Sequence, residues 1–417
     1  MIWTRANMTS GRKVLTFFLL VAIALAILAS SPSARAQTTP PTAVLLTVTK
    51  TADTNDSFCD PDDCSLREAI TEANSDMAHD VVSFTPGFSG SIVLDSALGG
   101  LTIQDDPAVS SDLSINGPGA GALSVSGNGA VRPFTVVSGA NATIGKISIV
   151  NGNATNVGGF GGGIRNQGTL TLNDSTVSGN KADAWGGGVL NLGTLTLNRS
   201  TVSGNEASDG GGTANTGTLT LNDSTASGNK ADAWGGGIYQ ANLSGSSTIT
   251  NSTISGNRAS SGGGIDNDEG LTRIENSTTT NNTAISGSGV ASTGDNSAST
   301  KVFSSIISAN ANDDDVNLVG GNIDSFTSDG YNLIGGGLTT AFNKPGDRFG
   351  VINPGLGPLA NNGGPTQTHA LKKGSPAINK STNTGCPATD QRGVSRPQGK
   401  TCDIGSYEKK HRKHRHH

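Results

Sequence analysis

Large and charged side chains are scarce in this 417-residue chain. Aromatic residues make up 4% and charged residues 15%, and there are three Met and four Cys. A series of ordinary globular domains of this length needs more bulky apolar groups than that, so several independent cores are excluded. Long hydrophobic runs are missing after the first 36 residues. There, Arg5, Arg12 and Lys13 precede the uncharged run Val14 to Leu28, and "ARA" (Ala34 to Ala36) follows. Such a run is short for a spanning helix and has the layout of a secretory signal peptide over 1–36. No later segment reads as membrane-spanning. A surplus of positive charge is also lacking. Without the Lys and Arg of the leader and of the terminal "KKHRKHRHH", residues 37–408 carry a net −14. An acidic body of this kind excludes a nucleic-acid surface.

What the chain has instead is glycine, 59 residues of it, and a repeat. Segments opening Gly-Gly-Gly start at Gly161, Gly186, Gly210, Gly235 and Gly262, a period of 24 to 27 residues. A Ser-x-x-x-x-Asn core runs through seven registers, with Ser at 148, 175, 200, 224, 252, 277 and 305 and Asn at 153, 180, 205, 229, 257, 282 and 310. Each repeat holds three strand signals. One opens at Ile164, Val189, Ile238, Ile265 and Val290. "GTLTL" alternates apolar residues with Thr, and "STVS" is the third. Asn- and Gly-rich corners separate them. Three strands and three corners in about 25 residues describe one coil of an all-β fold, a right-handed parallel β-helix of the pectin-lyase-like kind. Coils stacked at about 4.8 Å place Leu172, Leu197, Leu221, Ile249 and Ile274 in one inward column. Val177, Val202, Ala226, Ile254 and Thr279 fall in another. The repeated Asn180, Asn205, Asn229 and Asn257 predict an inward amide ladder.

One stretch breaks the pattern. In "CSLREAITEAN" (Cys64 to Asn74), Ser65 and Glu68 form a capping box. Leu66, Ala69, Ile70 and Ala73 share one helical face. A solenoid end leaves strand edges unpaired, so a short helix here reads as the N-terminal cap within 37–80. The β-helix then spans 81–345, a further segment 346–408, and a basic tail 409–417. Among the three pairings that four cysteines allow, the local ones are preferred, Cys59 with Cys64 and Cys386 with Cys402.

"CDPDDCSLREAI" resembles the N-terminal element of the CSLREAI-domain exported bacterial proteins. Leu356 to Glu408, "LGPLANNGGPTQTHALKKGSPAI…TDQRGVSRPQGKTCDIGSYE", resembles the choice-of-anchor Q domain that follows a β-helix in such proteins. The glycine and Asn repeats are loosely similar to chlamydial polymorphic membrane proteins. The resemblance implies a pectin-lyase-like β-helix outside the cell or on its surface, with no settled activity. Such proteins often continue into a sorting or anchoring signal; here the basic, His-rich tail is expected in its place, with no autotransporter barrel.

Charges within the repeats are expected to compensate one another. Asp174, Arg199 and Asp223 share a column, as do Lys181, Glu206 and Lys230, with signs alternating by coil. This favours a structural, adhesive or interaction role over catalysis. The patch that points to a ligand is Trp185 and Trp234, two coils apart, with Asp183, Asp209 and Asp232 nearby. Trp faces stack on sugar rings, and the carboxylates take hydroxyls or a loosely held Ca²⁺. No other cofactor is implied. "NDDDVN" (Asn312 to Asn317) and "TNDSFCDPDD" read as solvated acidic loops, the only other places for Ca²⁺. His369 stands alone and reads as structural. The tail reads as solvated, or as a contact to an anionic envelope surface. The competing function is a pectate-lyase-like enzyme acting on acidic polysaccharide.

Overall fold

The computed structural model describes residues 43–410 except 57, 76–78, 105–111, 295, 322 and 338. The proposed leader at 1–36 and most of the basic tail lie outside the described residues.

Each coil contributes three short strands that pair in parallel with their counterparts above and below. The second strand of the coil, exemplified by Thr169–Asn173, Thr194–Asn198 and Thr218–Asn222, stacks residue on residue. Its alternation puts Leu170 and Leu172 inside and Thr169 and Thr171 toward solvent. The inner column at Leu172 runs unbroken from Leu46 to Val302, through Val82, Ile115, Ile144, Leu197, Leu221, Ile249 and Ile274. All of these are buried, and each contributes about 1.5–3 kcal/mol of transfer free energy. The third strands form a ten-stranded sheet ending in Gly90–Val93 and Leu333–Ile334. Val177, Val202, Ala226, Ile254 and Thr279 share a level inside it, as expected. Between second and third strands the chain turns through a left-handed residue. Asp174, Arg199, Asp223, Asn251 and Asn276 hold φ of 48–52°, a conformation that Asn and Asp tolerate best.

The inward amide ladder is present. Each Nδ2 donates to the next Oδ1 at 2.9–3.0 Å through Asn180, Asn205, Asn229, Asn257, Asn282 and Asn310. The same Oδ1 accepts the backbone N–H of the preceding ladder Asn. Asp315 ends the ladder, its Oδ1 2.7 Å from Asn310 Nδ2. "NDDDVN" is therefore not simply a solvated loop, since Asp315 is buried in it as a structural terminator. The Ser column supports the next backbone in the same way, Oγ accepting from the preceding Ser N–H at 3.0–3.2 Å from Ser175 to Ser305.

The register expected at "SIVNGN" is off by one residue. Ser148 lies beside Thr176, and Ile149 beside Val177. The Ser-x-x-x-x-Asn match set Val150 at the level of Val177, but its β-branched neighbour Ile149 takes that buried place. Gly152, not Asn153, meets the ladder, donating to Asn180 Oδ1 at 2.7 Å. A Cβ at Gly152 would lie 2.2 Å from Gly162 O, so glycine is required there. A second buried ladder went unread: Asn166, Asn191 and Asn215 donate in turn to Asn191, Asn215 and Gln240 at 2.7 Å. Its signal is the fixed third place after each triple glycine.

The solenoid also begins before the helix, because Leu45–Val48 pairs with Asp80–Phe84. The helix, Leu66–Ala73, carries the expected capping box and buries Leu66, Ala69, Ile70 and Ala73. Arg67 and Glu68 are buried as well. Arg67 grips Asp53 with two bonds of 2.8 Å and donates to Leu98 O, Gly99 O and Gly100 O. Asn74 donates to Thr102 O and accepts from Gln104 N. These polar groups complete the open edge of the terminal strand Leu101–Ile103, which is the task of a cap. Both local disulfides form, Cys59–Cys64 and Cys386–Cys402.

Residues 353–410 run back along the outer side of the third strands. Gln391 Nε2 donates to Ser224 O and Thr225 Oγ1, Thr253 Oγ1 donates to Gln391 Oε1, and Thr278 Oγ1 receives Ser406 N. His369 bridges Ser255 Oγ and Gly357 O at 2.8 Å each, and burial holds its pKa below the usual imidazole range. It is structural, as expected.

Replacing Asn205 with Leu leaves Asn180 without its acceptor and Val177 O without its donor. Unpaired buried groups cost about 1–3 kcal/mol each, so urea unfolding of Asn205→Leu is expected to show a loss near 3 kcal/mol. Asn198→Ala, in the half-exposed outer Asn row, is expected to cost under about 1 kcal/mol.

Candidate functional site

The residue before each triple glycine forms a column, in which Trp185 pairs with Asp209 and Trp234 with Ser261. Asp209 O accepts from Gly186 N, and Trp234 O from Gly210 N. Gly210 has φ 62°, and a Cβ on it would sit 2.7 Å from Ala214 N. Only glycine can take this turn, and the turn lays the column back over the first strand of the coil. The first strand is therefore covered on both sides. Its outer column runs Arg165, Leu190, Ala214, Tyr239 and Asp266.

The covering residues build an aromatic ridge. Trp234 stacks on Tyr239 with ring centroids 5.9 Å apart and planes at 22°. Trp185 meets Tyr239 edge-on at 5.8 Å, and Phe160 meets Trp185 edge-on at 6.4 Å. Tyr239 is buried, whereas Trp234 is 47% and Phe160 39% exposed. Tyr239 Oη donates to Asp268 Oδ2 at 3.2 Å. Burial, reinforced by Asp268 and Asp266, drives the phenol far above its ordinary pKa, so it stays a donor.

Two buried carboxylates accompany the rings, Asp209 between the two tryptophans in the covering column and Asp266 next to Tyr239 in the first strand. Burial raises the Asp209 pKa, with the Trp234 N–H and the Trp185 side chain pulling the other way. Asp266 is 4% exposed, and its Oδ2 makes no hydrogen bond. Burial pushes its carboxyl up to about 7, the Ser261 hydroxyl offsets part of this, and the charges of Asp268 and Asp209 add to it.

Of the five residues singled out from the sequence, Trp185, Asp209 and Trp234 come together. Asp183 and Asp232 do not join them. In "ADAW" the Ala side chains at 182 and 231 point inward, and alternation turns the following Asp out to solvent. Asp232 sits instead 3.6 Å from Lys230. Among the described residues no three His, Cys, Asp or Glu side chains converge as a metal site. Tyr239, Asp266, Asp268, Phe160 and Arg165 escaped the sequence reading. The second place after each triple glycine reads Arg, Leu, Ala, Tyr, Asp, with no self-similarity to mark it. Alternation alone would expose it, and only the glycine turn buries it. The charge columns pair in part: Arg199 forks onto Asp174 with two bonds of 2.8 Å, and Lys230 reaches Glu206 at 2.7 Å.

In fold, the chain is similar to the crystal structure of pectate lyase Pel9A, with a TM-score of 0.58 over 89% of this chain and 97% of that one. Sequence identity is 14%, so the likeness concerns the parallel β-solenoid alone. No protein-family model and no curated protein matches the chain.

Asp266 is protonated in the fold below about pH 7, but an exposed Asp ionises near 4. Between those values the unfolded chain gives up a proton that the folded chain keeps, so stability falls as pH rises through this window and is level above it. Asp266→Asn is therefore expected to raise the melting temperature at pH 8 and to leave it nearly unchanged at pH 4. Equal shifts at both pH values would show that the buried charge is not the cause.

Proposed function

We propose that this protein is an exported β-solenoid of the cell surface or its surroundings that binds glycans along the aromatic ridge. The observation that carries the reading is Trp234, half exposed and held flat against buried Tyr239. A sugar ring places its C–H face on such an indole, and a pre-set aromatic surface pays little conformational entropy on binding. Phe160 and Trp185 extend the surface along the coil axis. Partners of this kind are surface glycans or envelope components. The leader-like 1–36, the two disulfides and the resemblance to CSLREAI-domain and choice-of-anchor Q proteins support export. The basic tail from Lys409 suits an anionic envelope.

A second reading, a pectate-lyase-like enzyme on acidic polysaccharide, draws on the fold likeness and on a carboxyl titrating near 7, where a general base works best. Asp266 is buried rather than on an open face, which favours binding over catalysis. Calorimetry of residues 37–417 against a panel of oligosaccharides separates the two. Trp234→Ala is expected to weaken binding about tenfold or more, as loss of a central aromatic contact does, with the glycan recovered uncut. Unchanged affinity in Trp234→Ala, or shortened product chains, would overturn the binding reading.

A further inference from the structure

The ledge over the first strand stops where its glycine is replaced. Three places before Ile164 stands Gly161, with φ 67°. Three places before its strand partner Phe134 stands Val131, a β-branched residue for which that backbone is strained. The chain does not double back there. The outer column of the first strand continues past Arg165 to Thr135, half-buried, and Thr102, exposed. Over these two threonines lies a cavity of about 480 Å³, with Ser96, Asn156 and Arg132 on its walls. A space of this size is in the range of small-ligand sites. Arg132 is engaged in the wall itself. Its Nε donates to Gly161 O at 2.8 Å, Nη2 to Phe160 O at 2.6 Å and Nη1 to Thr135 Oγ1 at 3.3 Å. Ser96, Thr102 and Asn156 differ from it. They are exposed, and among the described residues their side chains make no hydrogen bond. The cavity therefore offers a ligand hydroxyls and an amide.

The cavity is in line with the ridge. From Thr102 the outer column passes Thr135, Arg165, Leu190 and Ala214 to Tyr239. These coil steps measure about 24 Å at the usual strand spacing. Phe160, whose carbonyl Arg132 holds, is the first ring beyond the cavity, and Trp185 and Trp234 follow.

We propose that the cavity over Thr102 and Thr135 is a second subsite for the glycan of the ridge, and that one straight, β-linked chain lies lengthwise from Thr102 to Trp234. The proposal rests on the glycan-binding reading and adds a chain shape and a length to it. A pyranose ring has an edge of hydroxyls and faces of C–H groups. Hydroxyl and amide side chains both donate to and accept from the edge, and aromatic rings cover the faces. The two ends of the site thus take the two aspects of one polymer. A chain that curves leaves the line of the column and reaches one end only.

The test is calorimetry of residues 37–417 with the hexamers and trimers of cellulose and mannan, which are straight, and of amylose, which curves. At least one straight hexamer is expected to bind about tenfold more tightly than its trimer, equal to about 1.4 kcal/mol, and the amylose hexamer to gain nothing over its trimer. Thr102→Trp fills the cavity and is expected to bring the straight hexamer down to the affinity of the trimer, which the ridge holds unchanged. Asn156→Ala, at an exposed position, is expected to weaken the hexamer alone by about fivefold, as loss of one hydrogen bond does, and it carries the test if Thr102→Trp does not fold. Equal affinity of hexamer and trimer on the wild-type protein, or a hexamer that neither variant weakens, would overturn the subsite; the ridge reading then stands if Trp234→Ala still weakens the trimer. An amylose hexamer that gains as much as the straight ones would overturn the lengthwise chain. Should Trp234→Ala change nothing while Thr102→Trp weakens the hexamer, the ridge reading fails and the cavity stands. No binding of any of these sugars would overturn both.

Discussion

A buried amide that must find its partner in the next coil is the constraint on which the whole solenoid depends. Narrow coils leave room for few apolar side chains, so the interior is completed by groups that both donate and accept. Asn does this with one side chain, giving its Nδ2 to the coil ahead and its Oδ1 to the coil behind. Once one coil is placed, the next has a single register in which every amide is paired. The ladder has a direction, and its two ends need different groups. Gly152 supplies a bare N–H at one end, and the carboxylate of Asp315 takes the last donors at the other.

The same economy of space explains the triple glycines. Successive glycines lie so close that a Cβ on Gly187 would meet Gly211 O at 2.5 Å. This closeness lets the chain double back over its own first strand, and from that ledge follow both the aromatic ridge and the burial of Asp209 and Asp266. Where the ledge stops, at Phe160 and Gly161, the strand beneath is uncovered, and a cavity lined in part by Arg132 lies over Thr102 and Thr135. The proposed binding face is therefore a product of how far a backbone turn extends along the stack.

Closure at the edges draws on less regular parts of the chain. Arg67 and Asn74 bring polar groups from the helix to the first open strand. Residues 353–410 spend their Gln, Ser, Thr and His side chains on the outer third strands, with Gln391 bonding to two successive coils. Thr176 and Thr201 remain partly exposed, whereas Thr225, Thr253 and Thr278 are buried by that segment.

Sequence by itself determined what repeats. Period, strand alternation, the Asn and Ser columns, the capping box and the local cysteine pairs all follow from contacts between residues close in sequence or one coil apart, and there self-similarity acts as a measurement. It went astray at "SIVNGN", where the Ser and Asn spacing matched the repeat but burial of Ile149 rather than its β-branched neighbour Val150 sets the register. Tertiary structure alone decided what happens outside the coils. The place after the triple glycine that holds Arg165, Tyr239 and Asp266 carries no repeated residue, and alternation assigns it to solvent. A backbone fold-over, invisible to any pattern of side chains, buries it. For the same reason Asp183 and Asp232 read as neighbours of the tryptophans yet face away: spacing fixes which coil a residue joins, while the side to which it points depends on what the chain lays over it.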